Sequence, residues 1–223
     1  MNQTKVFLKN EADSYFARNE KAHSAIKDDI VLDIYKKYFG QKKIKVLEIG
    51  CSDGWRLKRI KEQYNANVFG VEPSVKAVNK AKKEFGLRDV VASTADVFNF
   101  DCKFDLILAP FVFHWIDRSL LLSSVYNIDR HLNDGGFLMI NDFWQNGFRK
   151  TEYHHRKDVR MWTYKQDYSK IFSSLGTYKD ILHIIYDYEK GRQPDGLYSL
   201  TDLKNNHAFV SLQRKSSELY EET

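Results

Sequence analysis

The chain has 223 residues, 43% apolar and 29% charged with both signs interspersed, so a full hydrophobic core is available and a disordered polyelectrolyte is excluded. A formal net charge of +5 is mildly basic: a lysine-rich solvated surface accounts for it, and attraction to an anionic partner is the sharper reading. Two cysteines, Cys51 and Cys102, are too few for a disulfide scaffold or a cysteine metal site, and no stretch approaches the roughly 20 apolar residues of a membrane span; a soluble protein of a reducing, cytoplasmic setting without metal is expected.

In chain order, Ile26, Ile30, Ile34 and Tyr38 recur at helical spacing and Gly40 supplies a stop, which predicts a helical lead-in over 1–40. Strand and helix then alternate. Ile44 to Ile49 reads as a short apolar strand broken by Gly50, and Asp53 to Tyr64 as a helix. Val68 to Val71 is a second strand ending at Glu72, and Ser74 is the N-cap of a helix that runs to about Phe85 and stops at Gly86. Val90 and Val91 belong to a third strand. Phe104 to Ala109 is a fourth, so continuously apolar that helices must cover both its faces. Ser119 to Leu132 reads as a helix, and Asp134-Gly135-Gly136 turns the chain into a fifth strand, Phe137 to Asn141. A short helix is expected over Asp167 to Leu175. Lys179 to Tyr188 and His207 to Arg214 then form an antiparallel edge pair, joined by a long connection containing Gly191, Pro194 and Gly196. This rhythm predicts one α/β domain over 1–223, with a parallel sheet of right-handed βαβ units and its core at 44–142.

The turn after the first strand, Glu48-Ile49-Gly50-Cys51-Ser52-Asp53-Gly54, has the glycines that a sharp strand-to-helix turn and a close ligand approach require. The dinucleotide fingerprint would place glycine at positions 50, 52 and 55; the residues are Gly50, Ser52 and Trp55, and no Gly-Lys-Ser/Thr phosphate loop follows. The segment instead resembles the first motif of class I S-adenosylmethionine-dependent methyltransferases of the small-molecule type, with Glu48, Gly50 and Gly54 matching and Ser52 in place of the middle glycine. The resemblance continues in order through Gly70-Val71-Glu72-Pro73, Thr94-Ala95-Asp96-Val97, Phe104-Asp105 to Ala109, and His131-Leu132-Asn133-Asp134-Gly135-Gly136.

It implies a Rossmann-like, seven-stranded, mostly parallel sheet with an antiparallel edge pair, and S-adenosylmethionine as cofactor. It assigns Glu72 to the ribose hydroxyls and Asp96 to the adenine amino group, with Pro73, Val97 and Ala109 beside them. Tyr15-Phe16-Ala17-Arg18-Asn19 resembles a segment ahead of the sheet in small-molecule members, where Arg18 would pair with the methionine carboxylate.

Ligands of an open parallel sheet bind beyond the carboxyl ends of its strands, which places the acceptor near Pro110 to Asp117 and after Asn141. His114 is the first candidate base, since an imidazole titrates near neutrality. Residues 143–170 are rich in aromatic and basic side chains, among them Arg149, and read as an acceptor-site lid. His154 and His155 diverge in either regular conformation, so one of the two is expected at the site, His155 by preference. The expected reaction is methyl transfer to oxygen or nitrogen of a small polar acceptor, with an anionic group in one form of the reading. The stretch Lys165-Gln166-Asp167-Tyr168 loosely resembles enzymes of bacterial surface-sugar or capsule modification. Two alternatives stand beside it. Nucleic-acid methylation would use the basic aromatic insertion for stacking and phosphate contacts; the third reading is a non-catalytic cofactor-binding protein.

Overall fold

The computed structural model describes residues 3–25, 28–156, 158–188 and 207–218; Ile26, Lys157 and the connection carrying Gly191, Pro194 and Gly196 lie outside them. The lead-in is α1 (Gln3–Val6), a π-helical stretch Phe7–Glu11 and α2 (Ala12–Ala25), followed by α3 (Ile30–Phe39). Asp29 caps α3, its side chain accepting from the Leu32 amide. Then come β1 (Lys45–Ile49), α4 (Trp55–Tyr64), β2 (Asn67–Glu72), α5 (Val75–Phe85), β3 (Val90–Ala92) and β4 (Phe104–Pro110). The second half comprises α6 (Leu121–His131), β5 (Leu132–Phe143), β6 (Arg149–Glu152), β7 (Trp162–Lys165), α7 (Ser169–Ser173), β8 (Tyr178–Asp187) and β9 (His207–Lys215).

Seven strands form one sheet in the order β3-β2-β1-β4-β5-β9-β8. β9 pairs antiparallel with both β5 and β8, while the pairings among β1 to β5 are parallel. The chain reverses its direction of sheet growth between β1 and β4, and that reversal opens a crevice at the carboxyl ends. Alternation along the strands divides the core. Val46, Leu106, Leu108 and Met139 face one layer with α3, α4 and α5; Leu47, Ile107, Leu138 and Ile140 face the other with α6 and α7.

Several boundaries differ from the sequence reading: α4 starts at Trp55 rather than Asp53, and α7 spans Ser169–Ser173 rather than Asp167 to Leu175. Asp117 accepts from the Ser119 amide and starts a 3-10 turn, Arg118–Leu120, so the α-helix itself begins at Leu121. β5 begins at Leu132 rather than Phe137: Leu132 pairs with Phe104 and Phe137 with Leu106, and Asp134-Gly135-Gly136 bulges from the strand between them. The aromatic insertion after β5 contains a two-stranded antiparallel ribbon of β6 and β7, which the sequence pattern does not reveal as strands. Gln3 holds it to the lead-in: its side chain donates to the Trp162 carbonyl at 2.7 Å and accepts from the Trp162 amide at 2.8 Å.

Candidate active site at the carboxyl ends of the strands

A cavity of about 790 Å³, part of it open to solvent, lies where β1, β2, β3 and β4 end. Its walls bring together Gly50, Glu72, Pro73, Thr94, Asp96 and Phe111 from those strand ends. Thr4, Phe7 and Tyr15 of the lead-in and Trp115 and Ile116 after β4 complete it.

The first turn owes its shape to alternating left-handed residues: Gly50 (φ 68°), Ser52 (φ 52°) and Gly54 (φ 75°). A Cβ at Gly50 would lie 2.6 Å from Val112 Cγ2, so glycine is what leaves the cavity its depth here. Gly54 serves packing instead, since a Cβ there would run into Leu87 beneath α4. Ser52 occupies a conformation that costs an L-residue roughly 1–2 kcal/mol, and its amide donates to Glu72 Oε2 at 2.8 Å.

Glu72 is the centre of the site. Its Oε1 accepts from the Ser74 amide at 2.8 Å while Oε2 holds Ser52, which fixes both oxygens and leaves each a further lone pair. Burial pushes this carboxyl up to about 7, against the two amide bonds that favour the ionised form. Asp96 accepts from Thr94 Oγ1 at 2.6 Å across the same cavity. Tyr15 faces Glu72 from the lead-in, and burial raises its phenol to about 12, so it stays protonated as a donor.

Beside the cavity lies a second constellation. His114, in the 3-10 turn Phe113–Trp115, is buried, and its Nδ1 is 2.8 Å from Asp142 Oδ1. Asp142, fully buried at the end of β5, also accepts from the His114 and Phe143 backbone amides at 3.2 and 2.7 Å. A carboxylate with those partners accepts from Nδ1–H, which leaves Nε2 as the basic nitrogen. Asp142 escaped sequence reasoning, although an acid at the carboxyl end of a parallel strand was the available signal.

The remaining expected site residues lie elsewhere. Glu48 is buried off the cavity in an ion pair with Arg56, which also binds Asp29 at 2.9 Å. Arg18 is ion-paired to Glu11 and donates to Tyr153 Oη at 2.6 Å, linking lead-in to insertion. Val97 is 67% exposed, and Ala109 is sealed in the core on β4. Neither contributes to the walls. His155 is exposed, packed against Tyr153 and His154 at ring distances of 5.3 and 3.9 Å, and does not join His114.

Residues 47–138 match the family model described as a methyltransferase domain. No curated protein matches. Among solved structures, the chain is similar to a 1,6-didemethyltoxoflavin-N1-methyltransferase from Burkholderia thailandensis (15% identity, 97% of this chain and 91% of that one, TM-score 0.68). It is also similar to an S-adenosylmethionine-dependent methyltransferase from Clostridium acetobutylicum ATCC 824 (14%, 93% and 100%, TM-score 0.62). A third is the N-methyltransferase NodS from Bradyrhizobium japonicum WM9 (14%, 90% and 87%, TM-score 0.56). At these identities the structural likeness speaks to the fold. The chain thus matches a methyltransferase-domain model over residues 47–138 and shares the fold of these solved methyltransferases.

Proposed function

We propose that this chain, acting as a single domain, transfers the methyl group of S-adenosylmethionine to an oxygen or nitrogen of a small polar acceptor. The observation that carries the reading is the convergence of Gly50, Glu72 and Asp96 on one cavity that adjoins the His114–Asp142 pair. Glu72 fits a ribose diol, since both of its oxygens are fixed by amides and retain acceptor capacity. Asp96 suits an adenine amino group, and the absent Cβ at Gly50 makes room beside Val112. Bound there, the cofactor supplies an electrophilic methyl on a sulfonium whose leaving group is neutral.

The chain's own part is chiefly alignment and exclusion of water, for which the aromatic cover of Phe7, Tyr15 and Trp115 is suited. His114 takes a proton from the acceptor at Nε2, with Asp142 holding the ring through Nδ1. His155, exposed and packed on Tyr153 and His154, takes no part in this reading.

Small acceptors are favoured by the neighbours named as N-methyltransferases of toxoflavin precursor and glycopeptide. The surface-sugar reading of residues 165–168 gains no support: Gln166 meets Arg118, Asp167 pairs with His183, and Tyr168 is core. Nucleic acid is the weaker alternative. A cytoplasmic setting is consistent with two unpaired cysteines, and no helix among the described residues is long and apolar enough to cross a membrane. Calorimetric titration with S-adenosylhomocysteine tests the cofactor reading, and failure to bind at millimolar concentration would refute it. Transfer of radiolabel from the donor to a metabolite extract, lost in His114→Ala, tests the reaction.

A further inference from the structure

We propose that Lys165 and Arg149 form a seat for an anionic group of the acceptor, so that the site takes a small acceptor bearing a carboxylate or a phosphate. The inference rests on the methyltransferase reading of the adjoining cavity and names the residues that would select its substrate.

Arg149 and Lys165 stand directly opposite each other in the ribbon, Arg149 on β6 and Lys165 on β7. Directly opposed residues of an antiparallel pair share a face, and like charges there destabilise the pairing. Neither forms an ion pair with a carboxylate among the described residues, whereas Arg56, Lys80, Arg156 and Arg160 each do. Two adjacent cations without an ion-pair partner are the composition of an anion site rather than of a structural bridge.

Their place in the fold gives that site its purpose. Lys165 Nζ lies 4.7 Å from the centre of the Phe143 ring and is half-buried. Phe143 in turn packs against His114 at 4.9 Å and Phe111 at 5.2 Å, and Phe111 lines the cofactor cavity. One aromatic ring therefore separates the unpaired ammonium from the candidate base. Burial and the neighbouring Arg149 both push the Lys165 pKa down, a penalty that a bound anion would remove. Asp142 is the acid that acts on Lys165 in the other direction, but its oxygens are committed to His114 and the Phe143 amide.

An acceptor held by its anion over the ribbon would extend past Phe143 toward His114. That geometry suits a short, flat molecule whose nucleophile lies opposite its charge.

The test uses the full chain saturated with S-adenosylhomocysteine and three probes: 4-hydroxybenzoate, 4-hydroxyphenyl phosphate and neutral 4-hydroxybenzamide. Titration calorimetry is expected to show the better anionic probe binding at least tenfold tighter than the amide. Lys165→Met and Arg149→Met should each erase most of that preference, and Lys165→Arg should keep it. Tighter binding of the phosphate assigns a phosphorylated acceptor, and tighter binding of the benzoate a carboxylic acid. Equal affinity for charged and neutral probes, no binding of any of the three, or unchanged binding in both methionine variants would overturn the anion seat while leaving the cofactor site standing. If S-adenosylhomocysteine itself does not bind, it is the methyltransferase reading that fails.

Discussion

Replacing Glu72 with glutamine separates what the carboxylate does for the fold from what it does for the cofactor. Burial holds Glu72 at about 7, above the 4.5 of an exposed glutamate, so the folded empty protein binds a proton that the unfolded chain has released. The stability it contributes is fully present below pH 4.5 and is lost as pH rises through 7. At 1.36 kcal/mol per pKa unit, the wild type loses roughly 2 to 3 kcal/mol between pH 5 and pH 8 from this group alone. Glu72→Gln cannot lose it. The amide also turns a donor toward the Ser52 or Ser74 N–H, which costs about 1–3 kcal/mol at every pH.

Urea unfolding followed by tryptophan fluorescence should therefore show the variant less stable than wild type at pH 5, with the gap closed or reversed at pH 8. Cofactor affinity should move oppositely. In wild type, S-adenosylhomocysteine binding should weaken about tenfold per pH unit below 7, because a protonated carboxyl must ionise to accept two hydroxyls. In the variant, binding should be weaker by about 1–3 kcal/mol and flat with pH. Wild-type and variant stability curves that run parallel from pH 5 to pH 8 would refute the reasoning, whatever the cofactor does.

Other outcomes follow from single positions. Gly50→Ala should cost about 1–2 kcal/mol for its left-handed backbone and push Val112 into the cavity, so calorimetry should show at least tenfold weaker cofactor binding. Ser52→Gly should instead raise stability by roughly 0.5–1 kcal/mol, the conformational strain less the entropy of the new glycine, with cofactor affinity retained. Asp142→Asn should release the His114 tautomer: nitrogen-15 shifts of the imidazole should lose the Nδ1–H signature, and turnover should fall with S-adenosylhomocysteine affinity unchanged. Arg56→Met should destabilise by about 3–5 kcal/mol because Asp29 and Glu48 remain buried without their cation. Part of that loss should return as pH falls and those carboxylates take up protons, which urea midpoints at pH 5 and 8 would read.

The parts of this molecule legible in its sequence are those fixed by local rules. Ser74 as a cap, Gly86 as a stop and the apolar run of β4 each follow from one residue's conformational or burial preference, and each is found where expected. The resemblance carried Glu72 and Asp96 to one cavity because motif order translates directly into strand ends. What stayed hidden depends on pairing across distance. His114 and Asp142 are 28 residues apart and meet only because β4 and β5 are neighbours. Arg18 has a guanidinium suited to a cofactor carboxylate, yet Glu11 and Tyr153 hold it, and no periodicity foretells a partner 135 residues away. Within β5, the Gly135-Gly136 pair read as a turn because glycines mark turns and bulges alike, and only the register with β4 distinguishes them.

Backbone strain points to the same place as the side chains. Three described non-glycine residues have a positive φ: Ser52, Asn65 and Phe111. Asn65 ends α4, an ordinary use of the left-handed region by asparagine. Of the other two, Ser52 is bonded to Glu72, a wall residue, and Phe111 lies in the wall itself with its amide donating to the Asn141 carbonyl at 2.6 Å. A bulky aromatic in that region persists only where its surroundings over-determine it, and here the parallel pairing of β4 with β5 does so. The strand ends thus hold Glu72, Phe111 and Asp142 in place before any ligand arrives, whereas the lead-in and ribbon that cover them are joined through Gln3 and the Glu11–Arg18–Tyr153 contacts. The sheet supplies the fixed wall of the cavity, and the lead-in closes it with Thr4, Phe7 and Tyr15.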